Sequence, residues 1–394
     1  MFYIFDEGSP VSPQLPSSWK LIARDAFSGV LLWKRDIAKW HTNLWPLKSG
    51  PASLPRRLVV IGDTVYVTLG IDAPVVALDA ATGKTLREYP KTAGAEEIIV
   101  ADGVMLALVN RTPVDYTADL KTDTEQGKSR DRRTTPSPQM SKIWAGIRST
   151  RWSHGDRIIR AFDAKNDKPL WEHKSTVLPL TLAANDAQVY FHNSESIVAV
   201  KLADGKVNWT SKPVAVWKGL DGRGLQSWFA PTLVARDKKV FFAGGEKTHM
   251  SYMGWGSKDI GEDTMTALSA KTGEKLWTAE HPYSGYNSPE DLFVIDGKVW
   301  AGSTAKNGAS GTYSGHDMNS GEKAKSLPPT VKTSWFHHRC YRAKATERYI
   351  LLRKRGVEFL DLTEEEHSRN DWLRGPCRHG VVPANGLLYA PPHP

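Results

Sequence analysis

Ala77-Leu-Asp79-Ala-Ala-Thr82-Gly83-Lys84-Thr-Leu86 is the cleanest copy of a phrase, A-x-D-x-x-(T/S)-G-x-x-L-W, that recurs seven times along the 394-residue chain. The other copies start at Ala23-Arg-Asp25, Ala161-Phe-Asp163, Ala199-Val-Lys201, Ala267-Leu-Ser269, Gly315-His-Asp317 and Phe359-Leu-Asp361. Asp suits the first position of a type I turn because its carboxylate accepts a hydrogen bond from the backbone two residues on. Four residues later Gly29, Gly83, Gly205, Gly273 and Gly321 supply the positive φ that closes such a hairpin. Trp33, Trp171, Trp209 and Trp277 follow eight residues after the Asp position. The phrase therefore predicts the third strand, turn and fourth strand of a repeated unit.

Working outward, a second turn signal precedes most copies: Ile61-Gly62-Asp63, Ala101-Asp102-Gly103, Ala184-Asn185-Asp186, Arg236-Asp237-Lys238 and Ile295-Asp296-Gly297. Runs rich in β-branched and aromatic residues, such as Thr64-Val-Tyr66-Val and Lys298-Val-Trp300-Ala, follow these turns. Each unit is thus four short antiparallel strands with no convincing amphipathic helix between them. Anchors at 25, 79, 163, 201, 269, 317 and 361 are spaced by 54, 84, 38, 68, 48 and 44 residues. The shorter steps match the ~40–50 residues of one propeller blade, and the longer ones are blades with insertions. The expected fold is an all-β propeller of seven to eight four-stranded blades, forming one domain over residues 1–394. The start at Phe2-Tyr-Ile-Phe5 and the ending Gly386-Leu-Leu-Tyr389 favour an eight-bladed parent trimmed at both ends.

The phrase resembles the repeat of quinoprotein-type (PQQ-repeat) β-propellers, in which it is termed the tryptophan-docking motif. That family holds dehydrogenases that bind pyrroloquinoline quinone (PQQ) and non-enzymatic scaffolds such as the outer-membrane barrel-assembly lipoprotein. The resemblance implies that the Asp, Gly and Trp residues named above are structural docking residues. Departures are visible: Arg87 and Lys325 stand where Trp is expected, Asp167 replaces Gly, and Trp372 falls eleven residues after Asp361. Less regular docking is expected there. The stretch His337 to Thr346 and the ending Asn385–Pro394 are also similar to large bacterial PQQ-repeat proteins of undefined activity.

In the enzymatic branch PQQ lies on the propeller axis beside Ca²⁺, which requires several oxygen ligands. No Glu, Asn and Asp set here matches that site residue by residue, so no catalytic or cofactor-binding residue is assigned. The family's disulfide between adjacent cysteines is absent, because the only cysteines are Cys340 and Cys377. Asp221-Gly-Arg-Gly224 and Trp228-Phe-Ala-Pro231 read as connecting loop, with an approach to the axis as the alternative. Trp228 and Trp255 are candidates to stack on a planar cofactor, although blade packing accounts for most Trp in this repeat.

The two thiols lie beside imidazoles, in His337-His338-Arg339-Cys340 and Cys377-Arg378-His379. Three readings stand: a Cys340–Cys377 disulfide, two independent buried thiols, or a metal or redox site of His338, Cys340, Cys377 and His379. Neither segment has a C-x-x-C pair, so spacing selects no zinc site.

A polar stretch over 111–153, centred on Lys128-Ser-Arg130-Asp-Arg132-Arg133, reads as a solvated insertion, with a docking loop for an acidic surface as the alternative. A smaller insertion at 247–263 reads as a local cover for its blade, with an apolar lid over one face of the disc as the alternative. The net charge of +9 is modest for this length and argues for no nucleic-acid partner. No run approaches the ~18 apolar residues of a membrane helix. G-x-S-x-G, P-loop and H-E-x-x-H motifs are absent. The expected function is a monomeric, non-enzymatic binding or scaffolding propeller of the bacterial cell envelope, exported or periplasmic, with protein partners and no cofactor. The alternative is a PQQ-dependent dehydrogenase, or a degenerate descendant, with an axial PQQ and Ca²⁺ site.

Overall fold

The structure, a computed structural model, describes residues 1–9, 11, 15–41, 54–111, 156–216, 231–244, 263–282, 289–303, 311–330, 341–376 and 379–391. Apart from one 3₁₀ turn at Leu54–Arg57, every regular element among them is a β-strand. The strands form eight antiparallel sheets in chain order, the serial blades of a β-propeller fold. Sheet I comprises Phe2–Asp6, Trp19–Arg24 and Leu31–Asp36; sheet II Leu58–Ile61, Thr64–Thr68, Val75–Asp79 and Thr85–Glu88. Sheet III holds Ala95–Ala101, Val104–Asn110, Asp156–Asp163 and Pro169–Thr176; sheet IV Ala183–Ala184, Gln188–His192, Ile197–Lys201 and Val207–Thr210. Sheet V holds Thr232–Arg236, Lys239–Ala243, Asp263–Ser269 and Lys275–His281; sheet VI Phe293–Ile295, Lys298–Gly302, Tyr313–Asp317 and Lys323–Leu327. Sheet VII comprises Lys344–Ala345, Tyr349–Leu351, Phe359–Asp361 and His367–Ser368, and the two-stranded sheet VIII Val382–Ala384 and Leu387–Tyr389.

Contacts divide the chain into two compact units, Met1–Thr176 with Lys201–Lys206, and Val177–Val200 with Val207–Pro394. In the first unit, Tyr66, Ala77 and Tyr89 of sheet II and the segment after it pack against Met105, Ala107 and Phe162 of sheet III. In the second, Trp209 of sheet IV packs with Val240, Phe242 and Leu268 of sheet V, and Trp277 of sheet V with Val299 of sheet VI. Core volume therefore lies between consecutive sheets. No sheet encloses a core of its own, so each relies on its neighbour to bury a face.

The repeated phrase shapes the third and fourth strands. Asp79 Oδ1 accepts the Thr82 N–H at 2.7 Å, and Asp79 O accepts the Gly83 N–H at 2.8 Å. Gly29, Gly83, Gly205, Gly273 and Gly321 all hold φ between 70° and 76°. Those hydrogen bonds, with Thr82 first among the causes, hold the Asp79 carboxyl below its usual range. A β-bulge follows at the small residue of each phrase in sheets I to VI: after Ala23, Ala77, Ala161, Ala199, Ala267 and Gly315. That residue pairs across the ladder with position eight of the fourth strand, as in Ala23↔Trp33 and Ala267↔Trp277. A bulge adds twist and re-aims side chains, and here it turns the indole toward the following hairpin.

Candidate functional site

Two sets of residues stand out: the joints between consecutive hairpins, and a buried charged cluster in the second unit. At a joint, each indole makes two contacts with the next hairpin. Trp33 Nε1 donates to Ala80 O at 2.9 Å, Trp171 Nε1 to Leu202 O at 2.7 Å, Trp209 Nε1 to Ala270 O at 2.9 Å and Trp277 Nε1 to Met318 O at 3.2 Å. In every case the acceptor is the residue after the Asp position. The ring lies flat over the turn glycine. A Cβ built on Gly83, Gly205, Gly273 or Gly321 would stand 2.7, 2.5, 2.4 or 2.6 Å from the indole, distances that real Cβ atoms do not show. Glycine is thus required twice, by φ and by the ring. Gly29 differs, since a Cβ there would meet nothing within 4 Å. Trp372, in the turn that follows sheet VII, is 90% exposed.

The joints without Trp keep the carbonyl contact by other means. Position eight of sheet II is Arg87, and there Tyr89 Oη donates to Ala164 O at 3.0 Å. Position eight of sheet VI is Lys325, whose Nζ donates to Leu362 O at 2.9 Å. The glycine has gone in both cases, replaced by Asp167 (φ 54°) and Glu365 (φ 63°). With no ring above it, the position admits a side chain. Docking at these joints is therefore re-chemised rather than irregular, which the sequence alone does not disclose.

The buried cluster gathers where the first strands of sheets V, VI and VII begin. Asp291, 1% exposed, accepts from the Ala343 N–H at 3.1 Å and from Tyr313 Oη at 3.3 Å, and pairs with the Arg353 guanidinium. His281 Nε2 donates to Asp291 O at 2.8 Å, while its Nδ1 lies 3.8 Å from Glu290 Oε2. Thr232 Oγ1 donates to Glu290 O at 2.6 Å, and Arg342 reaches the same carbonyl at 3.1 Å. Burial and the Asp291 charge push the Tyr313 phenol well above its ordinary range. Burial opposes the charge of Arg353, but Asp291 outweighs it and holds the guanidinium above the usual arginine range. Next to it, Lys354 is 1% exposed and donates to Gly311 O at 3.0 Å; burial lowers its ammonium to about 8 against the opposing pull of Glu358. Glu358 itself accepts backbone N–H groups of Lys354, Arg355 and Gly356 at 2.8, 2.8 and 3.1 Å.

The first unit has a smaller counterpart. Glu96 accepts from Asn110 Nδ2 at 2.8 Å and Arg157 Nε at 3.1 Å, and Glu97 lies 3.6 Å from Arg56. The buried carboxylates among the described residues are Glu96, Glu97, Glu290, Asp291, Glu358 and Asp361. Each faces a basic side chain or a set of N–H donors, Asp361 through Arg348 at 2.6 Å. Buried ions survive only when so compensated.

Among the described residues no donor set of the kind a PQQ and Ca²⁺ pair needs is gathered. Ca²⁺ needs six to eight oxygens, several of them free carboxylates. Among the described residues no group of three His, Cys, Asp or Glu is placed to hold a metal ion. The oxygens of Asp291 and Glu96 are already engaged by Arg353 and Arg157. His338, Cys340 and Cys377 lie outside the described residues, as do Trp228, Trp255 and nearly all of the 111–153 and 247–263 insertions. His379 is described, in the turn that precedes sheet VIII.

A family profile described as outer membrane protein assembly factor BamB matches residues 20–260 and 155–328. No curated protein matches the chain. Among solved structures, BamB from Moraxella catarrhalis is similar at 13% identity and a TM-score of 0.45, over 86% of this chain and 76% of that one. The quinohemoprotein alcohol dehydrogenase ADHIIG from Pseudomonas putida HK5 is similar at 15% identity and a TM-score of 0.38, over 80% of this chain and 44% of the enzyme. A form of KlHsv2 with loop 6CD replaced by a Gly-Ser linker gives 8% identity and a TM-score of 0.45, over 90% and 92%.

Proposed function

Because the chain belongs to the PQQ-repeat propeller family of outer membrane protein assembly factor BamB, we propose that it is a binding or scaffolding propeller without chemistry of its own. The family contains assembly factors and PQQ dehydrogenases, so membership alone does not choose between them. The observation that favours the scaffold is the state of the buried carboxylates. Among the described residues Glu96, Asp291 and Asp361 pair with arginines, Glu358 accepts three backbone N–H groups, Glu97 lies 3.6 Å from Arg56, and Glu290 lies 3.8 Å from His281 Nδ1. A metal-dependent site keeps its carboxylates free for the ion and its second shell. Here the same residue types fasten neighbouring sheets, as Asp291 of the segment before sheet VI does with Arg353 of the connection after the second strand of sheet VII.

The proposed setting is the cell envelope and the proposed partners are proteins, both by extension from BamB. No helix among the described residues is long and apolar enough to cross a membrane. The decisive experiment is a titration of the purified chain with PQQ and Ca²⁺, followed by calorimetry and by reduction of an artificial electron acceptor. Heat-silent titration and no dye reduction are expected, together with a discrete protein adduct when a photo-crosslinker replaces exposed Phe27 in the cell. Saturable PQQ uptake with turnover of an alcohol or sugar would instead establish the dehydrogenase.

A further inference from the structure

Four joints pair Trp with Gly, and at the two exceptions the equivalent positions hold a basic and an acidic residue. Arg87 occupies the Trp position opposite a turn whose fifth residue is Asp167, and Lys325 the one opposite a turn whose fifth residue is Glu365. At the second of these the pairing is direct. Lys325 Nζ stands 2.8 Å from Glu365 Oε1 while it also donates to Leu362 O at 2.9 Å. The Lys and Glu side chains are 26% and 52% exposed, so solvent and ions reach the contact. Trp209 and Trp277 at the preceding joints are each only 8% exposed.

We propose that Lys325 and Glu365 form an ionic latch, making the seam between sheets VI and VII open at its fourth-strand edge when ionic strength rises. The opposite edge of that seam is fixed by a different kind of contact. Asp291 and Arg353 are fully buried there, and Ala343 N–H donates to Asp291. Trp300, Tyr313, Ile350 and Leu360 fill the space between. Salt screens an exposed pair strongly and a buried pair weakly. The buried pair therefore acts as the pivot and the exposed pair as the catch. Arg348 binds Asp361 and Glu364 within sheet VII, so the turn keeps its shape when the catch releases. Neutral contacts between His367 and Thr330, at 3.0 and 3.3 Å, re-seat it.

Hydrogen exchange of the whole chain, followed by mass spectrometry, tests the latch. Raising NaCl from ~0.1 to ~1 M shortens the screening length from about 10 to about 3 Å. Within residues 361–368 the His367 amide, which donates across the seam to Thr330 Oγ1, is expected to exchange roughly two- to fivefold faster at high salt, the range of an exposed ion pair. Residues 269–277, at a Trp joint of the same unit, and residues 343–351, at the pivot, serve as internal references and stay constant. Glu365→Gln reproduces the high-salt rate at low salt, and Lys325→Trp with Glu365→Gly removes the salt response by installing a ring on glycine. Equal salt response in all three segments, or none in residues 361–368, overturns the proposal. So does a Glu365→Gln chain that keeps the wild-type salt response.

Discussion

Replacing Gly273 by Ala isolates what an indole does at a joint. The new Cβ would stand 2.4 Å from Trp209 Cε3, on a backbone at φ 74°. The left-handed backbone costs about 1–2 kcal/mol for a residue with a Cβ. Displacing a packed ring adds about 1–3 kcal/mol, and breaking the indole bond to Ala270 O about 1 kcal/mol. Gly297 is the control: it lies in the same unit at φ 66°, and a Cβ there meets nothing within 4 Å. Gly297→Ala pays the backbone cost alone. With a urea dependence of about 2 kcal/mol per M, the midpoint falls by about 1.5–3 M for Gly273→Ala and by about 0.5–1 M for Gly297→Ala. Trp209→Leu should bring the added cost of Gly273→Ala down to that of the control. Equal midpoint shifts for the two single variants would falsify the claim that glycine is demanded by the ring as well as by φ.

Three further outcomes follow from the buried polar groups. Asp291→Asn strands the Arg353 charge in a site 3% exposed and should cost about 3–5 kcal/mol in urea unfolding; Asp291→Leu with Arg353→Met should recover most of it. Trp277→Phe keeps much of the apolar contact but loses the indole donor to Met318 O, so a loss of about 1–2 kcal/mol is expected; no change would place the stabilisation in the ring alone. Burial lowers the His192 imidazole from 6.5 to about 4 and the His367 imidazole likewise to about 4. The unfolded chain binds more protons in that window, so this stability is complete above about pH 6.5 and is lost as pH falls to about 4. Each histidine contributes on the order of 3 kcal/mol. A flat stability profile between pH 7 and 4 would contradict both assignments.

The hairpins were legible because their requirements are local. Asp79, Thr82 and Gly83 satisfy one another within five residues, and a reader of the chain sees all three together. What escaped was set by partners far along the chain. Lys325 and Glu365 are forty residues apart, and each alone looks like a broken copy of the repeat. Tyr89 gave no sign that it would take the carbonyl contact left open by Arg87. The charged cluster was hidden for a related reason. Arg353-Lys354-Arg355 resembles a solvated run, yet Arg353 and Lys354 are 2% and 1% exposed, because Asp291 and Gly311 O arrive from sheet VI and the loop before its third strand. Glu290 and Asp291 sit ahead of an ordinary apolar strand, where local pattern gives no warning of burial.

The connection between third and fourth strands holds five residues in sheets II to VII, and the equivalent connection between the last two strands of sheet I holds six. In the four-stranded sheets the connection between second and third strands runs from four residues in sheet IV to forty-five in sheet III. Between the third and fourth strands length is constrained because a neighbour's indole, hydroxyl or ammonium must land there. The consequence is a natural cutting plan for recombination. Foreign peptides belong in the second-to-third connections, and whole blades can be exchanged as cassettes provided the donor carries a ring for a glycine or a cation for an acid. A chimera that mixes the two codes at one boundary should assemble poorly even with every strand intact.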